Sequence, residues 1–164
     1  MEERREYKLF IGIDPGLTGA IAIVNEDGKV GLYDMPTRPR GGKVSREVSA
    51  KGLALILKKY IKDDTVIVLE RVASRPQQGV AGMFSLGDSY GAVRGVVGGL
   101  GGFCVGAVPA VWRKGVGLKA GTGKDGSLAL ARSVFGREGL ERKKDDGRAD
   151  ALLIAEYGKR RFTI

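Results

Sequence analysis

The sequence predicts an α/β domain in which a mixed β-sheet is flanked by helices. Three observations lead there: short apolar runs ending at turn signals in the first third, a helical period feeding an apolar strand in the middle, and two helical patterns at the end. A chain of 164 residues suits one core, so a single domain over 1–164 is expected.

Lys8 to Ile13 (KLFIGI) stops at Asp14-Pro15-Gly16, and Gly19 to Val24 (GAIAIV) follows, which predicts two strands around a tight turn. Asn25-Glu26-Asp27-Gly28 is a hairpin signal ahead of the alternating stretch Lys29 to Asp34, so a three-stranded antiparallel meander is expected. Thr37 to Lys43 (TRPRGGK) reads as a basic loop. From Glu47 to Lys62, Leu53, Ile56, Leu57, Tyr60 and Ile61 recur at helical spacing, and Thr65 to Leu69 (TVIVL) is a buried-type strand ending at Glu70. Ser74 to Val80 reads as a loop, and a glycine-rich helix over Val80 to Val97 would let another backbone approach closely. Gly102 to Val108 is the fifth strand. Pro109 to Lys124, basic and glycine-rich, predicts an exposed loop with one short helical turn. Leu128, Ala131, Val134 and Phe135 make Asp125 to Phe135 an amphipathic helix, and Ala149 to Arg160 is apolar enough to be a buried one.

Composition narrows the chemistry. Twenty-eight Lys and Arg against nineteen Asp and Glu leave +9, which favours a polyanionic partner such as nucleic acid or an anionic membrane surface. The excess concentrates between Val105 and Asp145, with nine basic and four acidic residues. No run approaches the roughly 18–20 apolar residues of a membrane span. Histidine is absent, so mechanisms needing an imidazole base, nucleophile or ligand are excluded and carboxylates must act instead. The single cysteine, Cys104, excludes an intramolecular disulfide and is expected as a small buried hydrophobe. The N-terminal MEERREYK resembles neither a signal nor a transit peptide, so an intracellular site is expected. One Asn, two Gln and three Met beside abundant Lys and Arg hint at a thermophilic origin.

Asp14 and Glu70 each close an apolar strand, where open α/β sheets place binding sites. Asp14 alone would be a turn residue before Pro-Gly. Asp146 and Asp150, four residues apart, share one side of a helix start. Helix capping by Asp145 or Asp146 is the competing reading, but it leaves Asp150 unexplained beside an apolar run, where an unpaired charge is costly. Such carboxylates are the hard oxygen ligands that Mg²⁺ prefers, and two ions about 3.5–4 Å apart can drive phosphodiester hydrolysis without histidine. Trp112, beside Arg113 and Lys114, is placed to stack on a base, with core packing the favoured alternative.

The blocks IGIDPGLTGAIAIV, VLERV, RPQQGVAGMFSLGDSYGAVRGVVGG, PAVWRKGVGLKAGTGKDGSLALA and DDGRADALLIAEYGKRR, in this order, resemble those of RuvC-like Holliday junction resolvases, especially the compact versions carried by bacteriophages. The resemblance implies a ribonuclease H-like five-stranded sheet, three strands antiparallel and then two parallel. It also implies a homodimer in the cytoplasm of a bacterial host that nicks four-way DNA junctions symmetrically with Mg²⁺ or Mn²⁺, two ions per site. By motif, Asp14, Glu70, Asp146 and Asp150 would hold metal, with Lys114 and Lys124 near the scissile phosphate. Arg75, Gln77, Gln78, Trp112, Arg113, Lys114, Lys119 and Lys124 would face DNA. Two positions depart from the pattern. The family's acid or histidine three residues before the last aspartate is Gly147 here, so its role passes to Asp146, and the aromatic wedge three residues after the VLE glutamate is Ala73. Two rival readings stand beside this one. GIDPGLTGAIA also resembles the phosphate-binding hairpin of actin-like kinases and ATPases, and the chain could be a DNA-binding module without catalysis.

Overall fold

The computed structural model describes residues 5–42, 46–74 and 76–163. Five strands, β1 (Leu9–Asp14), β2 (Ala20–Asn25), β3 (Val30–Asp34), β6 (Thr65–Glu70) and β7 (Phe103–Ala107), form one sheet in the order β3-β2-β1-β6-β7. The first three pair antiparallel, whereas β6 and β7 run parallel to β1 and β6 respectively, as expected. A separate two-stranded ribbon, β4 (Thr37–Pro39) and β5 (Arg46–Val48), replaces the basic loop expected from Thr37 onward, because Thr37 pairs with Val48 and Arg38 with Glu47. Lys43 and Arg75, like the first four residues of the N-terminus, lie outside the described residues.

The expected helix over Glu47 to Lys62 is shorter, α1 (Ala50–Leu57). Glu47 is taken by β5, and the Ser49 hydroxyl caps the helix by accepting from the Gly52 N–H at 3.1 Å. The other helices are α2 (Val80–Gly99), α3 (Pro109–Gly115), α4 (Gly123–Phe135) and α5 (Asp146–Phe162).

Alternation along β1 divides the interior in two. Ile11 and Ile13, with Ile21, Ile23, Ile67 and Leu69, pack towards Leu53 and Leu57 of α1 and Val93 and Val97 of α2. Phe10, Ala22, Val66 and Val68 pack on the opposite face, against Ala151, Leu152 and Ala155 of α5. Gly12 belongs to this second face. A Cβ there would lie 2.1 Å from the Ala151 carbonyl oxygen and 2.4 Å from the Ala155 nitrogen, so glycine is what lets α5 lie directly on β1.

Cys104 departs from expectation: it is exposed, on β7 at the edge of the sheet, beside a recess bordered by Tyr90 and Arg94 of α2. The glycines of α2 differ in another way. Gly87, Gly91, Gly95 and Gly98 face open space, so no described backbone of this chain packs against them.

Candidate active site

β1 and β6 are neighbours in register, Ile13 beside Leu69, so Asp14 and Glu70 emerge together at the same edge of the sheet. The turn after β1 is tight: the Gly16 N–H donates to Asp14 Oδ1 at 3.2 Å, and a Cβ on Gly19 would lie 2.1 Å from the Asp14 carbonyl oxygen. Because α5 lies on β1, its first turns carry Asp146 and Asp150 to the same edge.

Each of these acids lies within electrostatic reach of at least one other. Burial pushes Asp14 up from 3.8 to about 6. The Gly16 N–H opposes this, Asp150 and Asp146 add to it, and Lys124 relieves it. Burial and then the Asp14 charge push Glu70 from 4.5 to about 7, against the indole N–H of Trp112. Asp150 is also raised, chiefly by burial. The Ser127 hydroxyl beside it draws it down without a well-formed hydrogen bond, and Asp150 Oδ1 is a buried acceptor with no partner among the described residues.

Cations lie against two of the acids. Lys124 Nζ is 2.9 Å from Asp146 Oδ2, and the Arg113 guanidinium is 3.7 Å from Asp150 Oδ2. As the side chains stand, no three acidic groups among the described residues close on a common ion-binding point. The donor set nevertheless fits a hard divalent cation. Every donor is a carboxylate oxygen, two carboxyls are raised by burial and by neighbouring acids, and a third keeps an unpartnered buried oxygen.

Asp145, 1% exposed, occupies the N-cap position of α5 but makes no side-chain capping bond; its carboxylate accepts instead from the Arg142 backbone N–H and side chain at 2.7 and 2.9 Å. Burial resists its ionisation, yet Arg142 holds it below the usual carboxylate range. Asp146, one residue on, pairs with Lys124 instead. The glycine that follows has a steric cause: a Cβ on Gly147 would lie 2.3 Å from the Thr18 carbonyl oxygen in the β1–β2 turn. No side chain fits there, and the acid stands one residue earlier.

Several expected DNA-facing residues are placed differently. Trp112 is 0% exposed and cannot stack on a base; its indole N–H donates to Glu70 Oε2 at 2.7 Å. Arg113 turns towards Asp150 and lies over the Trp112 ring at 5.1 Å. The stretch from Pro109 to Lys124 holds the expected short helical turn as α3, then a short connection and, beyond what was expected, the start of α4, so Lys124 sits on a helix. Lys114 and Lys119 are exposed, as is Gln77, whose φ of 71° is an uncommon backbone state outside glycine. Gln78 lines a recess of about 400 Å³ running from Asp14 and Glu70 past Ala73 to Leu86 and Pro109. On the other flank a recess of about 390 Å³ is bordered by Lys124, Arg142, Lys144 and Arg148.

Sequence reasoning missed the Trp112–Glu70 bond, the Asp145–Arg142 clasp and the pairing of Arg148 with Asp34 across 114 positions. Burial of Trp112 itself agrees with the favoured core-packing reading.

The comparisons agree with this architecture. No family model matches the chain. Over 78 residues, 46% of this chain and 8% of the other, it is 49% identical to the chloroplastic Holliday junction resolvase MOC1 of Chlamydomonas reinhardtii, so it spans under a tenth of that relative's length. Two solved structures of Thermus thermophilus RuvC superpose on it. One, in complex with a Holliday junction substrate, has a TM-score of 0.64 at 17% identity with 94% of both chains covered. The other has a TM-score of 0.63 at 19% identity with 93% of both covered. The chain carries the RuvC fold, a ribonuclease H-like mixed sheet flanked by helices.

Proposed function

We propose that this chain is a metal-dependent endonuclease that resolves four-way and related branched DNA junctions by paired symmetric nicks. One observation carries the reading: β1, β6 and α5 bring Asp14, Glu70, Asp146 and Asp150 to a single edge of a RuvC fold, between two open recesses. The net charge of +9 supports a nucleic-acid partner.

In this reading the four carboxylates hold Mg²⁺ or Mn²⁺, two ions per site. Bound there, such ions supply an activated water and stabilise the leaving 3′-oxygen of a phosphodiester. Lys124, on the flank of the site, stands where a phosphate can take over the charge it now gives Asp146. Arg113 stands likewise beside Asp150. Exposed Lys114 and Lys119 supply backbone contacts on the approach.

Paired nicks need two centres related by a two-fold axis, so a homodimer belongs to the proposal. The open glycine face of α2, with Val80 and Phe84 exposed at its start, offers a surface for close self-packing. No described helix is long and apolar enough to cross a membrane, and we place the protein in the bacterial cytoplasm.

A synthetic four-way junction tests the function. Nicking is expected with Mg²⁺ and not with EDTA, and Asp14→Asn, Glu70→Gln and Asp150→Asn should bind the junction yet fail to cut it. Asp146→Asn is expected to behave the same way. Junction binding by wild-type protein without Mg²⁺-dependent nicking would favour a non-catalytic DNA-binding module.

A further inference from the structure

The sole tryptophan of the chain is wholly buried, and its only polar atom points at an acid of the proposed metal site. An indole nitrogen is a donor and never an acceptor. It can hold a carboxylate oxygen in place whether or not that carboxyl is ionised, and it brings no positive charge to compete with a cation. Here it engages Glu70 Oε2, which leaves Oε1 as the oxygen available to an ion.

The helix that carries Trp112 is itself held against the acidic elements. α3 starts with Pro109 at its first position, and a Cβ on Gly115 would lie 2.5 Å from the Tyr157 ring, so α3 packs directly on α5. Two consecutive α3 side chains thus reach two acids from different elements. Trp112 holds Glu70 of β6, and Arg113, over the Trp112 ring, lies against Asp150 of α5.

We propose that Trp112 is a positioning residue of the metal centre: through its indole N–H it fixes the Glu70 carboxylate, so that α3 presets the distance and orientation between the β6 and α5 acids before an ion arrives. This rests on the metal-site reading above. Its consequence is that metal affinity depends on a hydrogen bond from a residue that touches neither metal nor DNA.

The test is Mn²⁺ binding followed by electron paramagnetic resonance of the free ion, for wild type, Trp112→Phe and Val116→Ala. Phenylalanine keeps a buried ring and loses the donor. Val116, buried at the end of α3, controls for loosened packing with the indole intact. Trp112→Phe should bind Mn²⁺ about 10- to 100-fold more weakly, the usual effect of losing a partner that orients a ligand, while Val116→Ala stays close to wild type. Junction binding in EDTA should be unchanged in both variants.

Equal affinity of Trp112→Phe and wild type, or an equal loss in both variants, would overturn the positioning role while leaving the metal site standing. Absence of Mn²⁺ binding by wild type would overturn the metal site itself, and this proposal with it. Should Trp112→Phe fail to fold by circular dichroism, wild-type fluorescence decides alone, since all tryptophan emission comes from position 112. Saturating Mg²⁺ should shift that emission, and an unchanged spectrum would overturn the proposal.

Discussion

The raised carboxyls make a prediction about stability that needs no DNA. Asp14 and Glu70 take up protons at about 6 and about 7 in the native protein, against ordinary values of 3.8 and 4.5. Folding therefore favours their protonated forms. Their contribution to stability is complete below the ordinary values and disappears as pH rises through 6 and 7. At about 1.4 kcal/mol per tenfold change in proton affinity, each displacement corresponds to about 3 kcal/mol. The two do not add, because the Asp14 charge is itself one cause of the Glu70 shift. Raising the pH from 5 to 8 in EDTA should then cost about 3 kcal/mol overall, seen as a melting temperature about 6–12 °C lower for a domain of this size. The depressed acids Asp34, Glu141 and Asp145 act in the opposite sense and only below the usual carboxylate range, outside this window. Thermal and urea unfolding across this range, with EDTA or saturating Mg²⁺, is the assay. Mg²⁺ should restore most of the loss at pH 8 and little at pH 5. Glu70→Gln removes one of the raised carboxyls, so in EDTA at pH 8 it should be more stable than wild type by about 2 kcal/mol. A stability that stays flat with pH in EDTA, or a Glu70→Gln protein less stable than wild type at pH 8, would refute the reasoning.

Three further outcomes are expected. Gly147→Ala should depress cleavage and metal affinity together and destabilise the fold by about 2 kcal/mol or more, since its Cβ meets Thr18 backbone at 2.3 Å and must shift the start of α5; wild-type Mn²⁺ affinity in this variant would show that the turn gives way instead. Replacing Lys114 and Lys119 with Ala should weaken junction binding and flatten log K against log salt by about 1–2 units, at roughly 0.9 per phosphate contact; an unchanged slope would move the footprint to Arg38 and Arg40 or to Arg142–Lys144. Light scattering should find a dimer in solution or on the junction, and Gly91→Leu on the open face of α2 should weaken it, whereas a monomer under both conditions would remove the paired-nick geometry.

Much of the fold was legible because its signals are local. KLFIGI, GAIAIV and TVIVL are apolar runs that only strands of this length bury on both faces, and the first two stop at turn residues. The acids were legible for the same reason: Asp14 and Glu70 stand where strands end, and four-residue spacing puts Asp146 and Asp150 on one side of a helix. The failures share a cause as well. Core packing was the favoured reading of Trp112 and holds, but nothing within α3 says that the indole will meet Glu70, 42 positions earlier. Cys104 looks like a core residue because FCVGAV is apolar, yet it is exposed on β7, which lies last in the sheet order, a place no local pattern encodes. The ribbon of β4 and β5 is too short for any periodicity to announce it.

By itself the sequence determined the element order, the chemistry and its exclusions. Without histidine, and with one cysteine, only oxygen ligands remained, and the basic excess pointed to a polyanion. Tertiary structure alone decided how the acids are held. The bare backbone of Gly12 lets α5 settle on β1, Gly147 lets the helix start pass the β1–β2 turn, and Asp145 is drawn away to Arg142. The physical reason is that hydrogen bonds, close backbone approach and burial depend on pairs of residues far apart in the chain, whereas periodicity and composition report only on neighbours.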